Sequence, residues 1–198
     1  MRIAVPFVAF VLAAAGHAQD ADKKFEITPQ VQQQIDGWKK TATEWAADAK
    51  VVAAVVDQNK KGPIEGMDNK KWKTLRRHSP EVDAFTTNDA AKVIGEKAKA
   101  TNGVVSEAFL SAAKGEKVAF LEKTSSYLHA GSPKFDTPFT KLEGWQGKPE
   151  FDESSQTYAI QVSVPVLDSA DPKKAIGVLV VGLNLTQMAS PKPPAPAK

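Results

Sequence analysis

The chain has 198 residues, 42% of them hydrophobic and 25% charged, enough for one domain with its own core. Its formal net charge of +3 comes from 26 basic and 23 acidic residues spread evenly, which argues against a nucleic-acid surface. Cysteine is absent, so disulfides, c-type haem attachment and thiolate zinc sites are excluded.

Arg2 precedes the apolar run Ile3–Ala15, and small residues surround Ala18. This pattern predicts a cleaved signal peptide over 1–18. The run is shorter than the roughly 20 residues a membrane-spanning helix needs. The expected location is therefore periplasmic or secreted. From Thr28-Pro29 the apolar positions Val31, Ile35, Trp38, Ala42, Trp45, Ala49, Val52 and Val56 step by four and three. Thr28 is an N-cap, Pro29 suits the first helical position and Gly62-Pro63 closes the run, predicting one helix from 29 to 59, about 45 Å long. Two readings of the seam stand side by side: packing along the chain's own domain, or pairing with a second copy through Val31–Val56, since the 3.5-residue spacing suits a coiled coil.

Met67–Pro80 predicts a short basic helix anchored by Trp72 and Leu75, and Asn88 caps a helix over 89–100. Val104–Ala112 and Val118–Glu122, joined by Lys114-Gly115-Glu116, read as a β-hairpin. Ser132–Glu153 shows little periodicity and reads as an irregular loop plugged by aromatic residues. Tyr158–Leu167 alternates strictly: Tyr158, Ile160, Val162, Val164 and Val166 face one way, while Ala159, Gln161, Ser163 and Pro165 face the other. Ala175–Leu185 is apolar on both faces and so reads as a central strand. The tail over 188–198 is Pro-rich and predicts an extended end. The order is that of an α+β domain over 19–187 with one antiparallel sheet.

Several segments resemble the extracellular Cache (PDC-type, PAS-like) sensor domains of bacterial chemoreceptors and sensor kinases. They are Gly103-Val-Val-Ser-Glu-Ala-Phe-Leu110, Lys114-Gly-Glu-Lys-Val-Ala119, Thr124-Ser-Ser-Tyr127, Gln161-Val-Ser-Val-Pro-Val-Leu-Asp168 and Ile176-Gly-Val-Leu-Val-Val-Gly-Leu-Asn184. The resemblance implies a five-stranded antiparallel sheet, a long N-terminal helix on one face and a small-molecule pocket on the other. The chain departs from the family by stopping in a Pro-rich tail, where members continue into a membrane helix and signalling domain. It also has Ala113 where a turn Asp is common, and it lacks the arginine-tryptophan-tyrosine-aspartate series of amino-acid-binding members. The ligand class stays open.

Candidate ligand-binding residues are Tyr127, His129, Lys134, Trp145, Gln161 and Ser163, with the small Ser106 and Ala108 leaving room beside them. No catalytic nucleophile with a base in reach, no phosphate-binding loop and no metal-ligand spacing is present, so neither an enzyme nor a cofactor is expected. Two functions follow. One is a stand-alone exported sensor module that captures a small metabolite and acts through a membrane-bound signalling partner. The other is a ligand-free interaction protein using the helix seam as a dimer or partner surface.

Overall fold

The computed structural model describes residues 25–153 and 156–189. The signal-peptide segment and residues 190–198 of the Pro-rich tail lie outside them. Helix α1 spans Pro29–Ala46 and α2 spans Ala49–Lys61. Short helices α3 (Asn69–Thr74) and α4 (Pro80–Thr87) follow, then α5 (Asp89–Lys99). Strands β1 (Val105–Ala112) and β2 (Lys117–Phe120) form the expected hairpin. Helix α6 covers Pro133–Lys141, and β3 (Trp145–Gln146) and β4 (Glu150–Asp152) are short. Strands β5 (Thr157–Leu167) and β6 (Ala175–Asn184) complete the sheet, before a final turn of helix, α7 (Leu185–Ala189).

The sheet runs β2-β1-β6-β5-β3 and every pairing is antiparallel; β4 also pairs with β5. Strand β3 pairs with residues 162–163 of β5 and β4 with residues 157–159. They therefore divide one sheet position, so the five-position sheet is built from six strands. This α+β, PAS-like architecture is the one the Cache resemblance implied.

The first helix is interrupted. The Thr28 side chain accepts a hydrogen bond from Val31 N at 3.3 Å, as an N-cap should. Ala47 then ends α1, and Asp48 starts α2 by accepting from Lys50 N at 3.0 Å. Asp48 also pairs with Lys97 of α5 at 3.6 Å. No Gly or Pro marks this break, which is why the periodicity ran through it. The break changes which residues face inward: Val31, Ile35, Ala42 and Trp45 are buried in α1, but Val51 and Val55 take over in α2 in place of Val52 and Val56. The seam packs against the chain's own sheet, and the outward face of α1 carries Gln33, Gln34, Asp36, Lys40 and Glu44.

Strand β6 separates two cores. Leu179, Val181 and Leu183 face α1, α2 and α5, together with Ala108, Leu110, Ile160, Val162 and Val164. Val178 and Val180 face the other layer, where Phe109, Phe120, Trp72, Phe85, Tyr127 and Phe135 pack. Ala108, expected to leave room for a ligand, thus belongs to the helix-side core. The difference follows from β-bulges in β1. Pairing shifts between Val105 and Glu107, so that Glu107, Phe109 and Ser111 share the face away from the long helices.

Asn59 fastens α2 to the end of the sheet, accepting from Ala113 N at 2.8 Å and donating to Ile176 O at 2.7 Å. At the same end α2 comes so close that only glycine fits at position 177. A Cβ there would meet Val55 Cγ1 at 2.8 Å and the Ser111 carbonyl closer still. Gly177→Ala is expected to destabilise the protein by about 1–3 kcal/mol, through overpacking, in a denaturant titration. An unchanged midpoint would mean that α2 is not pressed against the sheet here.

Candidate functional site

The sheet face away from α1 and α2 is covered unevenly. At one end an aromatic cluster closes it. Trp72 packs against Tyr127, Phe85 and Phe120 with ring centroids 5.5, 5.8 and 5.9 Å apart. Its indole N–H donates to Thr124 O at 2.8 Å. Asn69, on the same short helix, accepts from the backbone N–H groups of Tyr127 and Leu128, both at 2.8 Å, and donates to Leu128 O at 3.0 Å. Helix α3 thereby pins the segment 121–132 that follows β2.

At the other end this segment and α6 border a cavity of about 390 Å³ that opens to solvent. Asn69, Glu107, Phe109, His129, Lys134 and Gln161 line it. The volume is that of a small-molecule site. An adjoining cleft of about 660 Å³ shares Glu107, Thr124 and Gln161 with it and is walled by Trp145 and Phe151.

A polar row crosses the cavity floor. Lys134 Nζ donates to Gln161 Oε1 at 2.8 Å, and Gln161 Nε2 donates to Glu107 Oε2 at 2.8 Å. The amide thus presents its acceptor to a cation and its donor to a carboxylate. Glu107 on β1 and Gln161 on β5 are both register partners of Gly182 on β6. A Cβ at 182 would lie 2.9 Å from the Glu107 Cβ, so the missing side chain lets the two outer residues meet across the central strand.

Ser163 positions this row from below. Pro138 lies inside α6 and has no N–H to offer the carbonyl four residues earlier, that of Lys134. Ser163 Oγ donates to that carbonyl instead, at 2.7 Å. The helix interruption is thereby satisfied from the sheet, and α6 is held where the Lys134 side chain reaches Gln161.

Phe109 is the hub of the polar groups. The His129 ring stacks on it with centroids 4.6 Å apart, Lys117 Nζ lies 3.2 Å from its centroid and Lys134 Nζ lies 5.9 Å away. Lys117 is fully buried, beside its register partner Ser111. Lys117 Nζ, Ser111 Oγ and His129 Nε2 are all enclosed without a hydrogen-bond partner among the described residues. Burial pushes the Lys117 ammonium well below the ordinary lysine value; Glu107 opposes this and Lys134 adds to it. Burial also pushes His129 down to about 3, reinforced by Lys117 and Lys134 and opposed by a hydrogen bond to the Ser126 backbone. The His129 ring is therefore uncharged at neutral pH.

Of the residues singled out in the sequence, His129, Lys134 and Gln161 meet in the cavity. Trp145 stands in the adjoining cleft, joined to them through Gln161. Tyr127 is fully buried in the aromatic cluster and its hydroxyl accepts from Ile64 N at 2.9 Å. Ser163 is fully buried beneath Lys134. Sequence reasoning missed Glu107, Phe109 and Lys117. A charge inside the apolar run Val104–Leu110 was the available signal for Glu107, whereas Lys117 reads as an ordinary turn lysine. Among the described residues no group of three or more histidines, aspartates or glutamates is placed to hold a metal ion.

No family model and no curated protein sequence matches the chain. Among solved structures it is similar to the sensor domain of the V. cholerae histidine kinase DctB, at 15% identity and a TM-score of 0.48, covering 79% of this chain and 51% of that one. It is similar to the ligand-binding domain of the Pseudomonas fluorescens chemoreceptor CtaA in complex with L-leucine, at 12% identity and a TM-score of 0.42, covering 80% and 53%. A third similar structure is the sensory domain of the Campylobacter jejuni chemoreceptor Tlp3 with isoleucine bound, at 15% identity and a TM-score of 0.39, covering 84% and 69%. The chain spans about half the length of the first two.

The histidine gives this site an acid limit. Its folded value of about 3 lies below the ordinary 6.5, so between these pH values the unfolded chain binds the extra proton. The stability that His129 contributes is present above about pH 6.5 and is lost as pH falls towards 3. In His129→Gln the fall in unfolding free energy between pH 7 and 4 is expected to shrink by on the order of a few kcal/mol. Parallel pH profiles for the two proteins would show that the ring is not buried uncharged.

Proposed function

We propose that this protein is a small-molecule sensor module whose ligand occupies the cavity between the sheet and the segment 121–134. The observation that carries this reading is the cavity itself. Side chains from β1, the segment after β2, α6 and β5 bring Glu107, His129, Lys134 and Gln161 to one space of about 390 Å³, with donors and acceptors in fixed positions. A surface filled only for packing does not need that convergence of polar groups. The sequence resemblance to Cache sensor domains implies a pocket on the same face of the sheet, which supports this reading.

In this reading Lys134, Gln161 and His129 contact the ligand and Trp145 walls its entrance. Tyr127 and Ser163 hold the surrounding framework. Among the described residues His129 Nε2 has no hydrogen-bond partner, and we read the site as one that binds. Among the described residues no helix is long and apolar enough to cross a membrane. We place the domain in the periplasm or outside the cell, on the strength of the signal-peptide pattern over 1–18. Its response to ligand is passed to a signalling partner. The other reading, a partner surface along Val31–Val56, has less support, since the apolar residues of that seam are used by the chain's own core.

A thermal-shift screen against organic acids, amino acids, amines and purines tests the proposal. A true ligand at 100 times its Kd is expected to stabilise the protein by about 2.7 kcal/mol. Lys134→Ala and Gln161→Ala are each expected to weaken binding about tenfold or more while leaving the protein folded. A silent panel, or a ligand indifferent to both substitutions, would refute this assignment.

A further inference from the structure

We propose that Phe151, Tyr158 and Phe25 form a docking surface for the chain's own Pro-rich segment, residues 190–198. The inference goes beyond the sensor reading and does not depend on it.

The surface is a row of rings at the edge of the sheet. Phe151 on β4 and Tyr158 on β5 are register partners with ring centroids 5.0 Å apart, and the Phe25 ring lies 5.4 Å from that of Tyr158. Phe151 is 47% exposed, the most exposed large hydrophobic side chain among the described residues. Phe25 and Tyr158 are partly exposed. A single exposed apolar side chain needs no explanation, but three aromatic rings in contact at a sheet edge form a patch.

The place where the segment starts makes it the fitting occupant. Leu185 and Met188 of α7 pack in the helix-side core, and Phe25 and Tyr158 pack against the same core, so α7 and the rings lie on one face of the sheet. Thr186 Oγ1 accepts from Tyr158 N at 3.0 Å, which sets α7 beside the rings. At about 3.1 Å per residue in polyproline II geometry, the segment reaches about 28 Å beyond Ala189. Neighbouring strands such as β4 and β5 are only about 5 Å apart. The reach is ample.

The composition of the segment matches what the surface offers. Pro191 and Pro194 are three residues apart, as are Pro193 and Pro196. Polyproline II has three residues per turn, so each pair presents its rings along one face, the arrangement that aromatic grooves recognise. Lys192 and Lys198 meet a rim of opposite sign, since Glu26, Glu150 and Glu153, all exposed, flank Phe25 and Phe151 in the chain.

A second copy is the less suitable occupant. Antiparallel pairing of two β4 strands centred on Phe151 sets the Glu150 and Asp152 carboxylates of the two copies opposite each other, which is unfavourable. The prolines also give the contact a structural result. With no N–H at positions 191, 193, 194 and 196, the seated segment offers no row of donors to a further strand, and the sheet ends there.

The chain has no cysteine, so a nitroxide attached to the Ala195→Cys protein labels the segment at one position. Magnetic resonance spectra of the whole isotope-labelled protein are compared with the nitroxide oxidised and reduced. The amide signals of Phe151, Asp152 and Tyr158 are expected to lose most of their intensity to the oxidised label, while those of α5, at the far edge of the sheet, keep theirs. Phe151→Ser and, separately, Lys192→Glu with Lys198→Glu are each expected to restore most of the loss. Should Phe151→Ser fail to fold, the lysine pair and Pro193→Gly with Pro194→Gly still decide, because they leave the folded elements untouched. Signals at the rings that ignore the label, or a loss that none of these variants restores, overturn the proposal. A loss of equal size when spin-labelled protein is mixed with isotope-labelled protein lacking the nitroxide gives the surface to a second copy and overturns docking within the chain.

Discussion

Strand β6 imposes the constraint on which the rest of the structure depends. Ala175–Leu183 is buried at every position, so both faces of the sheet centre must be kept from water. One face is covered by long apolar helical surfaces, Ile35 and Trp45 of α1, Val51 and Val55 of α2, and Ile94 of α5. Among the described residues the other face has no comparable helix. It is closed by short pieces, α3, α4, α6 and the segment that α3 pins through Asn69 and Trp72. Short pieces do not tile a sheet completely, and the cavity lies where the aromatic cluster ends.

Around that gap the chain replaces apolar packing with paired polar contacts. The row Lys134–Gln161–Glu107 spans three strands because Gly182 leaves the middle one bare. Ser163 answers a carbonyl that Pro138 frees, so the interruption of α6 and the placement of Lys134 are one arrangement. Lys117, Ser111 and His129 break this pattern by remaining unsatisfied. Unsatisfied buried groups are uncommon in native proteins, and of these three His129 lines the cavity. Stability is given up locally and recovered in the helix-side core, where such groups are not found among the described residues.

Much of the frame was legible because it rests on local chemistry. The Thr28 and Asn88 caps, the hairpin turn at Lys114–Glu116 and the alternation of Tyr158–Leu167 all act within a few residues. Alternation also put Gln161 and Ser163 on the face away from the helices, where the structure has them. The elements that escaped are those stabilised from a distance. Helix α6 carries Pro133 and Pro138 and looks like a loop until Ser163 supplies the missing bond. The break at Ala47–Asp48 carries no Gly or Pro and is fastened partly by Lys97 of another helix. Strands β3 and β4 are too short to show a period and exist as partners of β5.

The candidate site divides along the same line. The sequence by itself determined that a two-faced central strand, a strictly alternating neighbour and an amphipathic N-terminal helical region would make an α+β sheet with one face free of the long helices. Hydrophobic period and capping chemistry are properties of neighbouring residues. Only the tertiary structure decided which side chains reach the cavity. Simple alternation from Phe120 puts Lys117, three residues away, on the opposite face. The register slip between Phe109↔Phe120 and Ser111↔Lys117 puts both on the same one. A bulge is a property of two strands meeting, and neither strand alone contains it.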